Sequence, residues 1–146
     1  MTTSAGIPQD LSSDFTIDAF HRGRFHLVQP KGGGHRSGVD AMLLASLVAD
    51  ERSGSVADLG SGAGAAGLAV ASRLENARIV LVEKLPLMAE YARRTLALPE
   101  NAFLSDRITV LGADVTLMGK ARVDAGLHDG VHDHVIMNPP FNHADD

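Results

Sequence analysis

The chain contains no cysteine, which excludes a disulfide framework, a thiolate zinc site and a cysteine nucleophile together. Nothing points to an oxidising compartment, and a cytoplasmic location is expected. Long apolar runs are also missing: no stretch approaches the roughly 18 residues of a membrane span. Met1 to Asp10 lacks the basic start and apolar segment of a secretion signal, so neither export nor membrane insertion is expected. Positive charge is scarce as well. With 13 lysines and arginines against 18 acids, the net charge is -5, which argues against a protein that coats nucleic acid through bulk charge.

What is present fits one folded unit. The chain has 146 residues, 45% of them apolar, enough to bury a core. Residues 1–13 read as a polar leader and 14–146 as one domain. Charge is uneven: from His21 to Arg36 there is no acid, while Arg22, Arg24, Lys31, Arg36 and three histidines fall in that stretch. This basic patch suits either phosphate contact or the solvated surface of a hairpin.

Hydrophobic patterning alternates between two periods. Phe15 to Gln29 carries short alternating runs around Arg22-Gly23-Arg24, which predicts a hairpin. Gln29-Pro30-Lys31-Gly32-Gly33-Gly34 reads as a loop. Val39 to Glu51 has helical spacing, Leu43 with Leu47 and Leu44 with Val48 predicted to pack on a core, and Asp40 in the first turn. Apolar runs then recur at Val56–Gly60, Arg78–Glu83, Arg107–Leu111 and His134–Met137, with helices predicted over Ala65–Leu74 and Pro86–Leu98. Alternating strands and helices predict a parallel sheet.

The first strand ends in Asp58-Leu-Gly60-Ser-Gly62-Ala-Gly64, where glycines let the backbone turn tightly and approach a ligand. Gly62, Gly64 and Gly67 also satisfy G-x-G-x-x-G, with Glu83 about 20 residues on, so the pattern alone does not choose a cofactor. Electrostatics favours one. A carboxylate at Asp58 repels a pyrophosphate and suits a cationic aminoacyl sulfonium, S-adenosylmethionine. In that reading the glycine loop passes beneath the methionine portion, and Asp58 orients the loop or the ammonium. Glu83 takes the ribose hydroxyls, Asp114 the adenine amino group, and Lys84 lines the same pocket. The plain alternatives are a turn or capping acid at Asp58 and a helix N-cap at Asp114.

Asn138-Pro139-Pro140-Phe141 leaves the fourth strand at the same edge of the sheet. An amine on an aromatic ring is a poor nucleophile because its lone pair is delocalised. Acceptance of its two N–H groups by the Asn138 amide oxygen and the Pro139 carbonyl steers that pair toward the methyl group. Pro140 fixes the turn and Phe141 stacks on the base. Neither metal nor acyl intermediate is required, because the sulfonium is already a good leaving group. His128, His132 and His134, with His143 nearby, straddle Gly130 and are not expected to bind metal.

Together with Gln29-Pro30, Gly34-His35-Arg36, Asp40 and Leu43-Leu44, these two motifs resemble the tRNA1(Val) adenine-N6 methyltransferase family, within the group sharing the methyltransferase small domain. The resemblance runs from about Asp14 to Phe141 and implies a Rossmann-like class I methyltransferase. The expected α/β fold has about four parallel strands in the order 3-2-1-4, flanking helices and an N-terminal hairpin plus helix. It further implies that Gln29 and Arg36 line the cofactor pocket, and that the substrate is an anticodon-loop adenine of tRNA. Family members continue well beyond this point with further strands. The expectation is therefore a fragment whose fourth strand presents Val135, Ile136 and Met137 at an open edge, prone to self-association. Three rival readings remain: a glutamine-N5 methyltransferase acting on a release factor, an NAD oxidoreductase, and a non-catalytic cofactor- or RNA-binding module.

Overall fold

The computed structural model describes residues 15–31, 38–49 and 54–139. Strands β1 (Phe15–Phe20) and β2 (Phe25–Pro30) form the predicted antiparallel hairpin, Phe15 opposite Pro30 and Phe20 opposite Phe25. The turn between them holds His21, Arg22 and Gly23 at positive φ, and the Phe20 and Phe25 rings stack across its base with centroids 5.7 Å apart. Gln29 lies in the hairpin as predicted, but Pro30, read as loop, also belongs to β2. Both strands of a two-stranded sheet are edges, where proline is tolerated. The outer edge of β2 is covered by side chains. Val28 N–H donates to Thr95 Oγ1 (2.9 Å), His26 N–H donates to Asn101 Oδ1 (2.9 Å), and Asn101 Nδ2 donates back to the His26 carbonyl (2.7 Å).

Helix α1 (Val39–Ser46) is shorter than expected, and of its predicted apolar pairs Leu44 and Val48 pack on the core while Leu43 and Leu47 do not. Ala41, Ala45 and the following Val48 are buried, whereas Leu43 and Leu47 are 64% and 79% exposed. Small side chains on the inner face let α1 approach helix α2 (Ala65–Arg73) closely, and Leu43 and Leu47 are turned outward. Arg73 ties the two together by donating to the carbonyls of Ala45 and Val48.

The main sheet comprises β3 (Ser55–Leu59), β4 (Arg78–Glu83), β5 (Ile108–Gly112) and β6 (His134–Met137), all parallel, in the spatial order β5-β4-β3-β6. Counted from β3, this is the predicted order 3-2-1-4. Helix α3 (Pro86–Ala97) follows β4. A 3-10 turn (Pro99–Asn101) and α4 (Ala102–Ser105) lead into β5, and α5 (Gly119–Asp124) lies between β5 and β6. Sequence patterning missed α5 because none of its residues is buried, so it has no apolar stripe to read.

Alternation along the strands divides the sheet into two faces. Val56, Ile79, Leu81, Ile108 and Ile136 join α1, α2, Ala92 of α3, and Phe25 and Leu27 of β2 in the larger core. Ile136 is thus buried, contrary to its expected exposure at the edge, while Val135 and Met137 are 59% and 48% exposed. On the opposite face Val82, Ala113 and Leu127 form a smaller cluster. At the amino edge, Arg107 donates to the carbonyls of Ala71 and Leu74 at the end of α2 and of Ala77 in the turn that follows it. Among the described residues no helix is long and apolar enough to cross a membrane.

Candidate functional site

The carboxyl ends of the strands converge. Parallel register places Asp58 beside Leu81 of β4 and Ile136 of β6, and Glu83 beside Gly112 of β5. Gly60, Glu83, Asp114 and Asn138 therefore follow or end neighbouring strands along one edge. This is the edge at which open α/β sheets bind ligands.

From β3 the chain enters a loop with Gly60, Gly62 and Gly64 at φ 69°, 56° and 101°, a left-handed backbone that favours glycine. The N–H groups of Gly60 and Ser61 both donate to the Val82 carbonyl, at 2.8 and 3.0 Å, folding the loop over β4. Packing sets a second limit. A Cβ on Gly64 would lie 2.8 Å from Leu81 Cδ1, and one on Gly67 would lie 2.4 Å from Leu81 Cδ2. At Gly60 a Cβ would meet nothing within 4 Å, so this part of the loop opens onto space where a ligand can approach.

Asp58 is 2% exposed, and its Oδ2 accepts the Gly67 N–H at 3.1 Å. Gly67 is the third residue of α2, whose N-cap, Gly64, has no side chain to offer, so Asp58 caps the helix from the strand. Burial pushes its carboxyl up to about 7, opposed by the Gly67 hydrogen bond and reinforced by the nearby Glu83 charge. Glu83 is also buried. Its Oε2 accepts the Gly62 N–H (2.9 Å) and its Oε1 the Leu85 N–H (3.0 Å). Each oxygen keeps a second lone pair for a further donor.

Asp114 lies at the β5 end of the row and is not the N-cap of α5, a position held by Met118. Its Oδ1 instead accepts the backbone N–H and hydroxyl of Thr116, at 2.9 and 2.7 Å. These bonds, chiefly the hydroxyl, with the Lys84 ammonium 3.5 Å away, hold its carboxyl below the usual range. Asn138 stands at the β6 end, half-buried, and its Nδ2 donates to Asp40 Oδ2 of α1 at 3.3 Å. Pro139 follows it, exposed. Sequence reasoning noted Asp40 for its place in a first helical turn and within the family resemblance but did not name it as a site residue; 98 positions separate it from Asn138.

Gln29 is buried and donates from Nε2 to Asp18 Oδ2 in β1 at 2.9 Å, a contact within the hairpin. Arg36, Pro140 and Phe141 lie outside the described residues. The exposed turn with Arg22 and Arg24 lies beyond His26, which is bonded to Asn101 at the amino edge, so these two arginines stand away from the strand ends. His132 Nδ1 is 2.6 Å from Ser55 Oγ, also at the amino edge.

Comparison with known proteins agrees with this geometry. The methyltransferase small domain model matches residues 36–146. A tRNA1(Val) (adenine(37)-N6)-methyltransferase of Porphyromonas gingivalis is 31% identical over 134 residues, covering 85% of this chain and 48% of the relative. The chain spans about half the length of the curated relatives it matches. Among solved structures, a predicted O-methyltransferase from Agrobacterium tumefaciens is 65% identical with a TM-score of 0.67, over 69% of this chain and 49% of that one. TYW2 of M. jannaschii, solved with AdoMet, shares the fold at 17% identity and a TM-score of 0.65, over 90% of this chain and 53% of its own. With over half of its residues matched, the chain belongs to the methyltransferase small domain family of S-adenosylmethionine-dependent methyltransferases.

Proposed function

We propose that the chain forms the cofactor half of an N-methyltransferase that modifies an adenine N6 in tRNA. The observation that carries this reading is the emergence of Asn138-Pro139 from β6 directly beside β3 and its glycine loop. An amide oxygen and a proline carbonyl on that edge are the acceptors a delocalised exocyclic amine needs. The Porphyromonas relative supports adenine as the acceptor base.

The chain's own groups fit S-adenosylmethionine, which supplies an electrophilic methyl on a cationic sulfur. Asp58 anchors the glycine loop through Gly67 and offers the ammonium a negative partner. Gly60, Gly62 and Gly64 give the backbone its close approach. Glu83 takes the ribose hydroxyls on its remaining lone pairs, and Asp114, steadied by Thr116 and Lys84, takes the adenine amino group of the cofactor. Gln29 and Arg36 complete the pocket from the N-terminal side. Asn138 and Pro139 hold the acceptor amine, Pro140 fixes the turn, and Phe141 stacks on the base.

A second reading is favoured by the Agrobacterium neighbour, described as a predicted O-methyltransferase. A hydroxyl has no pair of N–H groups for Asn138 and Pro139 to share, so the two readings predict different products. The full-length protein is incubated with labelled S-adenosylmethionine and, separately, unmodified tRNA, release factor and a panel of small hydroxylated acceptors. Products are resolved by mass. N6-methyladenosine is the expected product; label on glutamine or on oxygen overturns the adenine reading.

A further inference from the structure

We infer that Asp40 is a positioning residue for methyl transfer, setting which end of the Asn138 amide faces the acceptor. The inference rests on the N-methyltransferase reading. A primary amide is nearly symmetric in shape but opposite in chemistry at its two ends: Oδ1 accepts and Nδ2 donates. Only Oδ1 can accept an N–H from an exocyclic amine. A flipped amide presents N–H to N–H and turns the site from attractive to repulsive. Something must therefore decide the flip.

Pro139, next in sequence, has no N–H and supplies no local donor that would hold Oδ1 away from the acceptor. Asp40 makes the decision from outside. Its carboxylate accepts only, so the 3.3 Å contact with Asn138 requires the nitrogen end of the amide. With Nδ2 committed to Asp40, Oδ1 is the end left for the substrate. The contact also polarises the amide, drawing a proton of Nδ2 toward a negative oxygen and increasing electron density on Oδ1. Asp40 lies in the first turn of α1, where the helix dipole favours a negative charge. Ala41 and Ala45 fasten that helix to the core, so the acid is carried on a rigid element. Asp40 itself is exposed, and its replacement removes no core packing.

The test is a double-mutant cycle in the full-length protein, with single-turnover methyl transfer and cofactor affinity measured separately. Asp40→Ala is expected to slow transfer about 10–100-fold, the scale on which outer groups that orient a ligand act, with cofactor affinity unchanged. Asp40→Asn keeps the shape but lets its own amide present either end, so it falls between Asp40→Ala and wild type; Asp40→Glu partly restores the rate. In an Asn138→Ala background Asp40→Ala is expected to cost nothing further, because the acid acts only through the amide. Additive losses, or an unaltered rate in Asp40→Ala, overturn the inference.

A readout independent of turnover separates this failure from failure of the function. The Asn138 side-chain amide resonance, assigned by its loss in Asn138→Ala, should move in Asp40→Ala and Asp40→Asn. A resonance that stays in place overturns the Asp40 contact whatever the enzyme methylates. Wild-type protein that transfers no methyl to a nitrogen of any acceptor, with the resonance moving as expected, overturns the N-methyltransferase reading and the catalytic role with it.

Discussion

The two faces of the main sheet are built differently. One face presents Val56, Ile79, Leu81 and Ile136 to α1, α2, α3 and β2, with Leu81 fully buried. The other presents Ala57, Leu59, Val80, Val82 and Val135 to a cavity of about 320 Å³, shared with residues 126–132. The same alternation runs on to the carboxyl ends of the strands. Asp58 follows Val56, Glu83 follows Leu81, and Asn138 follows Ile136, each two residues on. The groups assigned to cofactor and acceptor are therefore extensions of the densely packed face. Asp58 is bonded to α2 and Asn138 to α1, both of which belong to that face. The proposed chemistry therefore shares the side of the sheet that carries the larger core.

Matched truncations break this comparison most forcefully. Leu81→Ala removes a fully buried side chain from the packed face and is expected to cost about 2–5 kcal/mol. Leu111→Ala, half-buried on the cavity side, is expected to cost about 1 kcal/mol, since part of its surroundings is already empty or solvated. Urea denaturation of each variant measures the difference. Equal losses would show that the cavity face is as tightly packed in solution as the other.

A pH series sharpens the comparison at the two carboxylates. Asp58, buried on the packed face, has its pKa raised from 3.8 to about 7, whereas Asp114, just past the end of β5, is held below its ordinary value. Between about pH 4 and 7 the folded chain keeps a proton on Asp58 that the unfolded chain releases. This contribution to stability is largest at the acid end, declines as pH rises through 7, and is level above it. The slope is at most about 1.4 kcal/mol per pH unit for one proton. Asp58→Asn, which still accepts the Gly67 N–H, should abolish the slope and be more stable than wild type at pH 8 in the absence of cofactor. Asp114 acts in the opposite direction, its contribution present above the unfolded pKa and lost on acidification. Identical pH profiles for wild type and Asp58→Asn would show that Asp58 is ionised throughout. Cofactor affinity provides the converse check, because an ammonium partner favours the charged acid and binding should strengthen as pH rises toward 7.

Much of the packed face was legible in the sequence, because burial on a parallel sheet leaves an unbroken apolar run. The spans Arg78–Glu83 and His134–Met137 match β4 and β6 residue for residue. The glycine loop was equally legible, since its positive φ angles leave a mark in composition. What escaped were features decided by distant partners. Leu43 and Leu47 fit a helical stripe, but the close approach of α1 to α2 selected Ala41 and Ala45 for burial. Pro30 looks like a loop residue until Phe15 pairs with it. The contact between Asp40 and Asn138 bridges the first helix and the last described strand, and no local pattern encodes it.

The smallest expected effect in stability falls at the outer edge of the thinner face. Among the described residues β6 pairs only with β3, which leaves its other side as a strand edge carrying exposed Val135 and Met137. Such an edge templates pairing with a second chain, and lysine on an edge strand opposes it by charge. Sedimentation velocity over a range of concentrations should show this 146-residue chain self-associating, and Val135→Lys should shift it toward monomer. Because Val135 is 59% exposed, the substitution should change unfolding free energy by no more than about 0.5 kcal/mol. A wild-type chain that stays monomeric, or association that Val135→Lys leaves intact, would remove the β6 edge as the contact surface. Loss of both association and stability would mean instead that Val135 belongs to the fold, and that the second face is better covered than its cavity suggests.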